Sequence, residues 1–211
     1  IKSLFLRNVS GARIDWRKEI FPMQWRIAVS WISGYFAFSL FTPVIFRYHG
    51  SIIAGQFGMI WSVIGGIGAI AGSWLMPKVP QFGMLIARKE YQKLDQLFLR
   101  ITKIFIFIVL TLSVSVWTAI YILYQTGHPF SQRILSPLPA GLFLIAQVIS
   151  TLSFPLSFYL RAHKKEPLLW LSLFFGALVG LCTFIFGRTY GVIGIALSYL
   201  AVNLFVIPIV V

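Results

Sequence analysis

The sequence predicts an all-α polytopic membrane protein with six transmembrane helices and one amphipathic helix in the cytoplasmic interface. Three observations carry this. Between Ile27 and Val211 the chain has six long stretches without a Lys, Arg, Asp or Glu. The basic residues gather in alternate connections, and all five acids fall in those same connections. A third feature is the helical period of the longest connection, in which apolar residues recur every three or four positions.

The stretches are Ile27–Phe46, Tyr48–Pro77, Ile104–Gln132, Ile134–Leu160, Pro167–Gly187 and Thr189–Val211. A helix needs roughly 20 apolar residues to cross about 30 Å of hydrocarbon, and each stretch supplies them. If the connections alternate between sides, one side holds 15 of the 18 basic residues, leaving Arg47, Arg133 and Arg188 opposite. The positive-inside rule makes the rich side cytoplasmic, and both chain ends with it. Asp15, Glu19, Glu90, Asp95 and Glu166 share that side.

Residues 1–26 form a basic approach to the first span, without the continuous apolar run of a signal peptide. Trp16 and Trp25 suit the headgroup level, and Pro22 stands just ahead of the span. Residues 27–211 are one six-helix domain. With Ile1 at one end and a span flush with Val211 at the other, the chain reads as a fragment.

Within Pro77–Lys103, Ala87, Tyr91, Leu94, Phe98, Ile101 and Phe105 fall on one helical face, and Arg88, Lys89, Gln92, Lys93, Asp95, Gln96 and Arg100 cover the other. A basic amphipathic helix over 81–100 is expected to lie in the interface before entering the third span. A solvated linker is the plainer alternative.

A net charge of +13 would suggest nucleic-acid binding in a soluble domain, but here the cations are juxtamembrane, where an anionic leaflet attracts them. No nucleic-acid partner is expected. Cys182 is the sole cysteine and allows no intrachain disulfide, while His49, His128 and His163 occupy three different connections. No metal site, cofactor or catalytic residue is read from the sequence, and the chain is not expected to be an enzyme: it has no HExxH, no GxSxG and no carboxylate pair at depth.

No ionisable side chain lies deep in a span, which argues against proton relays and voltage sensing. The polar groups at depth are milder. The fourth span carries Gln147, Ser150, Thr151 and Ser157 on one stripe interrupted by Phe154; the first has Tyr35, Ser39 and Thr42; the second has Gln56; the sixth has Asn203. These either line a water-accessible path for a polar substrate or serve as hydrogen-bonding glue between helices. Pro43, Pro155 and Pro208 are expected to kink their spans. Gly68/Gly72 and Gly176/Gly180, each in GxxxG spacing, are expected to mark close helix packing. Gly65–Gly68 is not a phosphate loop, since no Lys-Ser/Thr follows and no strand precedes.

Three segments, FRYHGSIIAGQFGMIWSV (46–63), WLMPKVPQFGMLIARKEYQKLDQLFLR (74–100) and RTYGVIGIALSYLAVN (188–203), resemble the second half of bacterial polysaccharide flippases of the multidrug/oligosaccharidyl-lipid/polysaccharide exporter superfamily. The most specific run is Trp74, Pro77, Lys78 and Pro80 through Ala87 to Leu94, Asp95, Leu97, Phe98 and Arg100. The resemblance implies one of two six-helix lobes, the N-terminal lobe being absent, with residues 1–26 as the inter-lobe connection. It implies a multi-pass protein of the bacterial inner membrane that moves a polyprenyl-diphosphate-linked oligosaccharide across the bilayer by alternating access, without bond making or breaking. Partners would be the bilayer, the lipid-linked oligosaccharide, the missing lobe and other membrane proteins of polysaccharide assembly. Such flippases tend to have a basic central cavity. This chain departs from that pattern, with only Arg26 and Arg47 flanking a span near a vestibule, and these join the expected path. A multidrug-type exporter of the same superfamily, a membrane polymerase or acyltransferase, and a passive scaffold are the alternatives.

Overall fold

The computed structural model describes residues 21–163 and 169–210, and every regular element among them is helical. The expectations placed on residues 1–20 and 164–168, including the approach segment with Trp16 and the cations Lys164 and Lys165, lie outside the described residues.

In chain order, α1 (Phe21–Ser39) and α2 (Phe41–His49) form the first run. α3 (Ser51–Leu75) leads through a short 3₁₀ turn at Met76–Lys78 into α4 (Val79–Ala87). α5 (Tyr91–Gln125) is followed by a 3₁₀ turn at Pro129–Arg133, then α6 (Pro137–Thr151), α7 (Ser153–Ala162) and α8 (Leu169–Val210). Five helical runs are long and apolar enough to cross a membrane: Gln24–His49, Ser51–Ala87, Tyr91–Gln125, Pro137–Ala162 and Leu169–Val206.

Proline sets two of the interruptions. Pro43 has no N–H to offer the carbonyl of Ser39, so one helical hydrogen bond is lost and α1 passes into α2 at Leu40, which keeps helical φ and ψ. Pro155 stands in the same relation to Thr151, and α6 passes into α7 at Leu152, also with helical φ and ψ. Positive φ sets others. Gly50 (φ 90°) separates α2 from α3, and Gly127 (φ 63°) ends α5 with His128 N–H bonded to the Leu123 carbonyl and Gly127 N–H to that of Tyr124. This is the paired closure of a left-handed helix cap. The end of α4 is closed in the same way, from Glu90 to Leu85 and from Lys89 to Ile86, with Lys89 at φ 58° in the place glycine usually holds.

Two expectations change here. Six separate spans are expected, but the last two join into one 38-residue run interrupted only at Gly191 (φ 62°, ψ −144°). Arg188, Thr189 and Tyr190 stay helical, and the one residue without a Cβ absorbs the turn. Residues on either side of it come together: a Cβ on Gly187 would sit 2.9 Å from Ile195, whereas a straight helix separates residues eight apart by about 12 Å. The second concerns residues 81–100, which do not form one interfacial helix. The Lys89 turn divides them, and from Tyr91 onward the apolar face is turned into the protein: Leu94, Ile101 and Phe105 are buried and Phe98 packs on Phe82 and Tyr159.

The core is built around α8, which lies against α1, α2 and α6. At its centre Phe38, Phe41, Phe57, Trp61, Phe143 and Tyr199 pack together, several pairs edge to face and Phe57 stacked on Trp61, with Phe41 and Trp61 at 5.1 Å between centroids. Such rings bury large areas and each pair adds on the order of 0.5–1.5 kcal/mol.

Candidate functional site

Polar groups on either side of Leu152 share one face of α6 and α7. Ser150, Ser153 and Ser157 line a cavity of about 230 Å³ with Ser30 of α1 and with Ser172 and Asn203 from the two limbs of α8. Phe38 and Phe175 supply apolar wall. A second cavity, of about 370 Å³, shares Ser30, Gly34, Phe38 and Ser157 with the first and adds Tyr35, Phe158 and Arg161. Together they run from mid-helix toward the lysine-rich end.

Three of the side-chain donors in this wall are committed. Ser153 Oγ donates to the Ser150 carbonyl at 2.8 Å and Ser157 Oγ to the Ser153 carbonyl at 2.8 Å. Asn203 Nδ2 donates to the Tyr199 carbonyl at 2.8 Å. A serine hydroxyl carries one donor and two acceptor lone pairs, so what these residues still offer is lone pairs. Asn203 is fully buried and its Oδ1 has no partner. Leaving such an oxygen unpaired costs about 1–3 kcal/mol. The buried Tyr199 hydroxyl faces Ser150 and Asn203, so this residue belongs to both the aromatic core and the polar cavity. The arrangement suits a group that donates hydrogen bonds: a hydroxyl, an amine or water.

Of the residues expected on the path, Ser150, Ser157 and Asn203 share the first cavity and Tyr35 lies on the second. The others are elsewhere. Thr151 is buried, with Oγ1 donating to the Gln147 carbonyl at 2.7 Å, and neither it nor Gln147 lines either cavity. Ser39 is exposed, as are Arg26, 5.9 Å from the Trp25 ring centroid, and Arg47. Gln56 lies at the opposite end, bonded to the Gln132 carbonyl. Sequence reasoning missed Ser30, Ser153, Ser172 and Arg161. The available signal was register: Ser30, Gly34 and Phe38 recur at four, and Ser172 and Phe175 at three.

Among the described residues no three His, Cys, Asp or Glu side chains come together. Comparison of the chain with protein families, with curated proteins and with solved structures returns no match.

Proposed function

We propose that the chain is one lobe of a flippase that moves a lipid-linked oligosaccharide across the bacterial inner membrane, without chemical change to its cargo. The observation that carries this is the acceptor-rich cavity of Ser150, Ser153, Ser157 and Asn203, whose free lone pairs match the O–H donors of a sugar. A lipid-facing helix would have no reason to gather polar atoms there. The resemblance of residues 46–63, 74–100 and 188–203 to the second half of polysaccharide flippases points the same way. On this reading the limbs of α8 on either side of Gly191 are two crossings, which makes six, and the lysine-rich end is cytoplasmic. A second lobe, outside this chain, completes the transport path.

The test is water access. In the complete transporter, with Cys182 replaced, cysteines at Ser150, Ser157 and Asn203 are expected to react with a small water-soluble thiol reagent, and the lipid-linked oligosaccharide is expected to slow that reaction. Cysteines at Ile145 and Leu204, both more than half exposed on outward faces, serve as lipid-facing controls. Inert cavity cysteines would make the serines a dry seam and remove the basis of the proposal. The same acceptors would also receive a protonated amine, the cargo of a multidrug-type exporter. Protection by a hydrophobic primary amine, and not by the oligosaccharide, would favour that reading.

A further inference from the structure

At the end of the molecule that carries Arg47, Arg133 and Arg188 there is a third, larger cavity, of about 510 Å³. It lies where the end of α2, the start of α3, the end of α5, the Pro129–Arg133 turn and the Gly191 break converge, and none of its lining residues belongs to the serine cavity. Its volume falls within the range of small-molecule sites, roughly 300–1,000 Å³.

Two hydrogen bonds between distant segments build the walls. Gln56 Nε2 donates to the Gln132 carbonyl at 2.8 Å, tying α3 to the 3₁₀ turn. His49 Nε2 donates to the Gly187 carbonyl at 2.7 Å, tying α2 to α8. Gly191 lies under the imidazole, where a Cβ would come within 3.1 Å of His49 Cε1. The lining then alternates in character: amides from Gln56 and Gln132, hydroxyls from Ser131 and Ser136, and the rings of Tyr124 and Tyr190. Tyr190 is 70% exposed and Tyr124 52%. An interfacial aromatic belt would account for exposed tyrosines, but not for two amides and two serines gathered with them in a tied cavity.

We propose that this cavity is a saccharide subsite, distinct from the serine cavity, in which the glycan rests at the arginine end of the protein. A sugar ring presents hydroxyls at its edge and C–H groups on its face. The amides answer the first, in both donor and acceptor roles, and a tyrosine face answers the second. The lining contains no carboxylate and no ion pair, so the ligand is held by its hydroxyls and ring faces. This inference rests on the flippase reading and deepens it by giving the glycan a second resting place.

The experiment is saturation-transfer NMR on the full-length transporter in lipid nanodiscs, with chitobiose and maltose as soluble probes. Transfer to at least one sugar is expected. Q56L and Y190A are each expected to weaken it about tenfold, the scale of one lost hydrogen bond or ring contact, while Y190F retains it. Q92D, on an exposed face outside both cavities, is expected to leave it unchanged. Thermal unfolding of each variant separates loss of the site from loss of the fold. Absence of transfer from both sugars overturns the proposal, as does transfer indifferent to Q56L and Y190A in folded protein. If N203L, in the other cavity, alone abolishes transfer, the sugar sits only in the serine cavity: this inference then falls and the flippase reading stands. Inert cavity cysteines together with Q56L-sensitive sugar binding would give the reverse.

Discussion

Asn203 separates function from stability more sharply than any other side chain described. Its buried Oδ1 has no partner, and such an orphaned oxygen costs stability wherever no ligand or water meets it. Asn203→Leu removes the unpaired oxygen, so its melting temperature in detergent is expected to match or exceed that of the native protein, while oligosaccharide flipping in proteoliposomes falls. A lower melting temperature with flipping intact would make Asn203 a packing residue. Gly191 is the opposite case. Its positive φ with ψ near −144°, a region that only glycine enters readily, and the nearby imidazole both resist a side chain, so Gly191→Ala is expected to cost about 1–3 kcal/mol, read as a lower unfolding temperature. The glycines also show what sequence spacing leaves open. Gly176 and Gly180 face Ser33 of α1 and Leu40 just after it, whereas Gly68 and Gly72, in identical spacing, would meet nothing with an added Cβ. GxxxG reports that a backbone can be approached; only the fold decides whether a neighbour arrives.

At the scale of elements, the turn between α4 and α5 shows the same limit. The period of Tyr91, Leu94, Phe98, Ile101 and Phe105 was legible, and it does form one helical face. Its direction was not, because periodicity is blind to whether an apolar face meets headgroups or other helices. In the fold Leu94 is fully buried, and the Phe98 ring lies 4.7 Å from that of Tyr159, whose hydroxyl donates to Asp95 at 3.1 Å. Leu94→Asp places a carboxylate in that core and is expected to destabilise by several kcal/mol, with loss of monodisperse protein on size exclusion. Gln92→Asp, on the exposed face, is expected to stay within about 0.5 kcal/mol. Equal behaviour of the two would return this segment to the membrane surface. Nearby, Lys93 bonds to Glu90 at 2.7 Å and holds its carboxyl below the ordinary value. Whatever that exposed pair contributes is present at neutral pH and lost as pH falls through the lowered value. The polar path was partly legible for a related reason. Ser150 and Ser157 were placed by their spacing, but Thr151 and Gln147 were misplaced: at about 100° per residue Ser150, Ser153 and Ser157 share a narrow face, and Gln147 and Thr151 lie to one side of it, outside the cavity.

For the whole molecule, contacts between distant segments gather at two ends. Asp95 meets Tyr159 at one end; at the other, His49 meets Gly187, Gln56 meets Gln132, and Arg188 lies 5.6 Å from the Tyr48 ring centroid. If the lysine-rich end is cytoplasmic, a cysteine at Gln92 is shielded from an impermeant thiol reagent in intact cells and one at Ser131 reacts, with Cys182 replaced. The reverse pattern would invert the protein in the membrane. One further property follows from Tyr199, which touches Ser150 and Asn203 on one side and on the other lies 6.2 Å from the ring of Trp61. Trp25, Trp31, Trp74, Trp117 and Trp170 are exposed, so among the described tryptophans Trp61 alone emits from inside the aromatic core. The protein therefore carries its own optical reporter: any cargo that displaces the Tyr199 hydroxyl alters the surroundings of a single interior indole, and the filling and emptying of the cavity becomes visible as a change in the colour and intensity of its fluorescence.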